Sequence, residues 1–193
     1  MNNATNAQIA AQGDVDAKVL LQSSEVSLRL LEFVAGAQTE ADFTRERFRH
    51  VLQLPPQTPT AGGSIEAGAE DQHIFSQDGS SWTTEVAFFG EGPSRRVEFR
   101  ISHPSLSDGS LSPDLTSGCA LTLAKVVQVL RDADFLEAPS RPASPQTSDD
   151  DLLVHYFSGS SLYVTAASQV RKTDDDTRCI VSFEARLSRA QAH

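Results

Sequence analysis

The sequence predicts an α+β fold: an antiparallel sheet of about five strands, built from two hairpins and a C-terminal strand, packed against an N-terminal helical hairpin and one further helix. Three observations carry this. Apolar residues recur every three or four positions early in the chain, then every second position from Trp82 onward. The strand-like runs come in pairs joined by short turns instead of alternating with helices, the pattern of antiparallel rather than βαβ connection. A chain of 193 residues can also bury roughly 70% of its unfolded surface, enough for a core without a metal or disulfide. The expected organisation is a single domain over 1–193. It has a disordered lead over 1–13, a helical hairpin over 14–54, and long loops over 55–80, 102–117 and 138–151.

The first helix is expected over 14–35, where Val15, Val19, Val26, Leu30 and Phe33 form one stripe that Gly36 ends. Thr39 reads as the N-cap of a second helix running to Leu54, with Glu40 and Asp42 in its first turn. Phe43, Phe48, Val51 and Leu52 point inward, Arg45, Arg47 and Arg49 mostly outward, and Pro55-Pro56 stops it. In WTTEVAFF, Trp82, Thr84, Val86 and Phe88 share a face. In RRVEFRI, Val97, Phe99 and Ile101 alternate with charges, so GEGPS is the turn of a hairpin. Thr122 then caps a helix, Leu121 staples against Val126, and Leu123, Val126, Val127 and Leu130 build its apolar side. LLVHYF and LYVTAAS form a second hairpin. From Arg178 to Leu187, Cys179, Val181, Phe183, Ala185 and Leu187 alternate with polar residues, Ile180 being the exception.

The formal charge of −10 argues against a nucleic-acid partner, which requires a basic patch to displace counterions from phosphates. It argues equally against anionic lipid, and no apolar run is long enough for a transmembrane helix. The polar lead after Met1 has neither the basic nor the apolar region of a signal peptide. It is compatible with a mature chain whose export signal has been trimmed. The expected location is then the periplasm, and otherwise the cytoplasm.

No motif nominates an enzyme, and no cofactor or metal is expected. Cys119 and Cys179 are sixty residues apart, without C-x-x-C spacing and without histidines close by in sequence. Three readings stay open for them: two buried free thiols, one disulfide, or a reactive cysteine served by His103 or His155. His50, His73, His103, His155 and His193 make no i, i+4 pair. Two acidic triplets remain, Asp149, Asp150, Asp151 and Asp174, Asp175, Asp176, without the alternating spacing of a calcium loop. They are either solvated tips that protect sheet edges or a carboxylate cluster that steers a basic partner. Trp82, Tyr156 and Tyr163 are candidate aromatic anchors wherever they are exposed, with Trp82 better suited to the core.

With "CALTLAKVVQVLRDADF" leading into paired strands, acidic loops, two cysteines and no catalytic motif, the chain resembles small acidic periplasmic immunity proteins that neutralise type VI secretion toxins such as peptidoglycan amidases. The resemblance covers about the last eighty residues. It implies a non-enzymatic binding protein that occludes the active site of a basic toxin through its acidic loops. The alternatives are a cell-envelope or secretion-apparatus adaptor, for which a homodimer is one allowed state, and an enzyme of unrecognised type.

Overall fold

The computed structural model of the chain describes residues 23–54, 69–76, 82–90, 92–102, 119–142, 152–169 and 178–188. They hold three α-helices: α1 (Ser23–Ala35), α2 (Arg45–Leu52) and α3 (Leu123–Asp132). They also hold seven strands: β1 (Ala69–Ser76), β2 (Thr83–Phe89), β3 (Arg96–Ser102), β4 (Leu136–Pro142), β5 (Leu152–Ser158), β6 (Leu162–Gln169) and β7 (Ile180–Leu187). All pairings are antiparallel, in the order β1-β2-β3-β7-β6-β5-β4. Two meanders therefore meet along β3 and β7 at the centre of one sheet. The class is α+β, as the periodicities predict, but with seven strands instead of about five.

The two extra strands fall where loops were expected, and each has a physical reason for escaping a hydrophobic pattern. β1 reads AEDQHIFS, and its inward positions are Asp71, His73 and Phe75, set by the register opposite Phe88, Val86 and Thr84. Its inner face is polar and held by ion pairs. β4 reads LEAPSRP and is exposed along its whole length. It contains two prolines and a register shift between Ala138 and Arg141, features tolerated only at a sheet edge.

The joint between the first two helices also differs from expectation, because one predicted helix is two elements. Thr39 starts a single 3-10 turn, Glu40–Asp42, whose Asp42 carboxylate accepts from Thr39 N–H at 3.0 Å and its hydroxyl at 2.7 Å. The chain then leaves helical geometry at Phe43, whose ring sits 5.2 Å from Phe33 and 6.0 Å from Phe88. Thr44 restarts the helix, its Oγ1 accepting from Arg47 N–H at 3.3 Å. α2 ends at Gln53 in left-handed geometry, before the prolines. Two hairpin turns grip this joint. Arg95 donates to Phe43 O at 2.7 Å and to Glu40 at 3.0 Å, while Ser160 and Ser161 both donate to Gln38 O.

α3 matches its reading closely. Thr122 Oγ1 accepts from Lys125 N–H at 3.4 Å, and Leu123, Val126 and Leu130 are buried. The predicted alternation of β7 holds for Phe183, Ala185 and Leu187. The exception, Ile180, is also fully buried, because a register shift between Ala167 and Ser168 lets it turn inward.

The helices lie on one face of the sheet. Val86, Phe88, Val97, Phe99, Phe183, Ala185, Val164, Ala166 and Phe157 all belong to that face by register, and they share one core with residues of α1, α2 and α3. Phe99 and Phe183 are directly opposed at its centre. Phe183, 1% exposed, has no room to relax, so Phe183→Ala is expected to cost about 3–5 kcal/mol in guanidinium unfolding with an unchanged slope.

Candidate functional site

The residues named from sequence fall into three groups. Asp149, Asp150, Asp151, Asp174, Asp175 and Asp176 lie outside the described residues, as do His103 and His193. The residues that bracket the acidic runs are described. Leu152 pairs with Gln169, and Ser168 pairs with Ile180, so these brackets are neighbours at one end of β5, β6 and β7.

Cys119 and Cys179 lie at the same end. Their Cα atoms are 5.5 Å apart and the sulfurs are bonded, which resolves the three readings in favour of the disulfide. The backbone sets this up. Thr122 and Cys179 form an isolated antiparallel bridge, Ile180 N–H donates to Leu121 O at 2.9 Å, and Leu123 N–H donates to Arg178 O at 2.8 Å. The stretch before α3 is thus a short strand stitched to the start of β7. Closing a loop of sixty residues stabilises by about 4 kcal/mol in the chain-entropy account.

Two of the described histidines, His155 and His73, are engaged by their surroundings. His155 is 5% exposed on the helix face of β5, and its Nε2 lies 2.9 Å from Ser168 Oγ across the β5–β6 pair. His50 is exposed on α2. His73 belongs to a cluster that sequence reading missed. Asp71, fully buried on the edge strand β1, accepts from Arg49 Nη1 at 2.7 Å, from Arg45 Nε at 3.4 Å and from His73 Nε2 at 2.7 Å. Arg45 and Arg49 were expected to face mostly outward. They reach the carboxylate because their i, i+4 spacing puts both on the side of α2 that meets β1. The available signal was Asp71-x-His73-x-Phe75 with period two, which is legible only once β1 is known to be a strand.

Burial pushes the Asp71 carboxyl upward, but hydrogen bonds from Arg49 and His73, with their charges, outweigh it and hold it below the usual carboxylate range. The stability it contributes is therefore present above its unfolded value, near 3.8, and is lost as pH falls through the lower folded value.

The face of the sheet away from the helices mixes charged and aromatic side chains, with Ala87 and Phe89 buried on β2. On β3, Glu98 accepts from Arg96 Nε at 2.8 Å and from Arg100 Nη2 at 2.7 Å. Arg96 also covers the Phe89 ring at 4.1 Å. On β7, the Arg186 guanidinium stands 5.2 Å from the Tyr163 ring centre, and Tyr163 lies 6.3 Å from Tyr156. Both tyrosines are half-buried, whereas Trp82 is in the core. Among the described residues no group of three or more His, Cys, Asp or Glu could hold a metal ion, and no helix is long and apolar enough to cross a membrane.

No protein family, curated protein or solved structure matches the chain.

Three outcomes are expected. Asp71→Ala leaves two arginines facing a buried gap and should lower stability by about 3 kcal/mol. Asp71→Asn should flatten the acid limb, so that wild type loses stability faster than the variant as pH falls below about 4 in chemical-denaturation series. Cys119→Ser with Cys179→Ser should lower stability by about 4 kcal/mol, and added reductant should then leave the variant's unfolding midpoint unmoved while lowering that of wild type.

Proposed function

We propose that the chain is a non-enzymatic protein-binding module, and specifically an immunity protein that occludes the active site of a basic toxin with the acidic end of its sheet. The observation that carries this reading is the neighbouring position of Leu152, Gln169 and Ile180. In sequence, Asp149–Asp151 run directly up to Leu152 and Asp174–Asp176 fall between Gln169 and Ile180, so the described residues that flank both acidic runs stand at one end of the sheet. Six carboxylates in two sequence runs, in a chain of net charge −10, would steer a basic partner and raise the rate of encounter. The disulfide supports an oxidising compartment such as the periplasm, where peptidoglycan-directed toxins act. His155, buried against Ser168, reads better as a satisfied core residue than as a general base.

The test is sequencing of the adjacent gene, where this reading expects a toxin, followed by co-expression with its product and titration of the two purified proteins. Wild type is expected to restore growth, with affinity that falls steeply between about 0.05 and about 0.5 M salt. Replacing all six aspartates by asparagine should raise the Kd at least about 10-fold and flatten that salt dependence. Unchanged binding by the asparagine variant would remove the acidic end from the reading.

A further inference from the structure

The face of the sheet away from the helices carries an arrangement that a single chain does not need. Arg96 on β3 lies directly opposite Arg186 on β7, and in the next row Glu98 lies directly opposite Glu184. Like charges directly opposite one another across two strands are destabilising, and here two such pairs stand side by side on the central strands. In-chain bonds answer half of this, because Arg96 and Arg100 both bind Glu98. Glu184 and the exposed Arg186 form no ion pair among the described residues. The rows extend outward. Tyr163 shares the arginine row and Thr165 the glutamate row, while Ser158 and Tyr156 follow on β5.

We propose that this face is the interface of a homodimer in which two copies stack sheet on sheet about a two-fold axis crossing β7 at Ala185. That axis exchanges the two rows. Arg186 then meets Glu184 of the second copy, a contact repeated by symmetry, as an isologous interface requires, while Glu98, buried and bound by Arg96 and Arg100, stays paired within its own chain. The same operation seats Tyr163 over Thr165 and Tyr156 over Ser158, so each large side chain meets a small one, the condition for interdigitation across packed sheets. One operator turns the like charges left unanswered on β7 into opposite-charge contacts and sets each tyrosine over a small residue. The charges fix register and orientation, and the tyrosines supply the buried area. β7 is the fourth of seven strands, so the axis lies at the middle of the sheet, where twist disturbs row alignment least. The dimer stands or falls independently of the toxin reading.

Sedimentation of the full chain over about 1 to about 100 µM tests it, with a wild-type dimer dissociation constant expected at or below about 10 µM. Arg186→Glu alone and Glu184→Arg alone each turn two attractions into repulsions and should weaken the dimer at least about 100-fold. The double swap Glu184→Arg/Arg186→Glu restores opposite charges across the axis, and its dissociation constant should return to within about 10-fold of wild type. Both positions lie on the face of the sheet away from the helices, and circular dichroism of each variant checks the fold. Raising salt from about 0.05 to about 0.5 M should weaken the wild-type dimer, a readout that needs no variant. A wild-type monomer throughout the range overturns the proposal, as does a dimer indifferent to the single swaps or one that the double swap fails to rescue.

Discussion

Everything in this fold hangs on the pairing of β3 with β7. It joins residues 96–100 to residues 182–186, bringing together two meanders that are otherwise local. Its helix-facing side opposes Phe99 to Phe183 and Val97 to Ala185, all buried, and the three helices share their core. Each backbone hydrogen bond along the pair adds only about 1 kcal/mol net, whereas each buried phenylalanine adds about 1.5–3 kcal/mol. Without the pairing, each meander would present an apolar face and an unsatisfied edge to water. The disulfide acts on the same strand, because Cys179 precedes Ile180 and ties the threshold of α3 to the start of β7.

Those parts of the fold that bury an apolar stripe were legible in the sequence, and those held by charge were not. β2, β3, β5, β6 and β7 emerge from alternation, and α3 from its cap and staple, because in each the core is lined by hydrocarbon. β1 reads as loop in sequence because two of its three inward side chains are Asp71 and His73, an arrangement the arginines of α2 make tolerable. β4 was read as loop since it buries nothing and carries prolines. The helical joint was half legible: Thr39 was recognised as a cap, yet Thr44 two residues beyond Asp42 is a second one, and the detour exists to deliver Phe43 to the core. Pairing of the cysteines was one of three open readings, since no spacing rule reaches across sixty residues. The like-charge rows are invisible in sequence, because they arise from the β3–β7 register and from nothing local.

The distribution of charge follows from this architecture. The chain has 16 basic and 26 acidic residues, and several of the described arginines are engaged by carboxylates of their own chain. Arg45 and Arg49 are drawn to Asp71, Arg95 to Glu40, and Arg96 and Arg100 to Glu98. Cations are thus used to close the joint between helices and sheet and to quiet the face of the sheet away from the helices. The surplus of carboxylates is left to dominate the field at a distance.

The central position of β7 also has a consequence for biosynthesis. Its partner β3 leaves the ribosome roughly 80 residues earlier, and at 5–20 residues per second that is a wait of about 4–16 s. During that interval β1, β2 and β3 can form as a local meander, but β3 has a bare edge and Phe99 has no Phe183 against it. Completion of the core is therefore confined to the moments after the last strand is made, the step with the largest loop to close and the slowest to nucleate. A chain built this way holds an incomplete core until β7 has been synthesised.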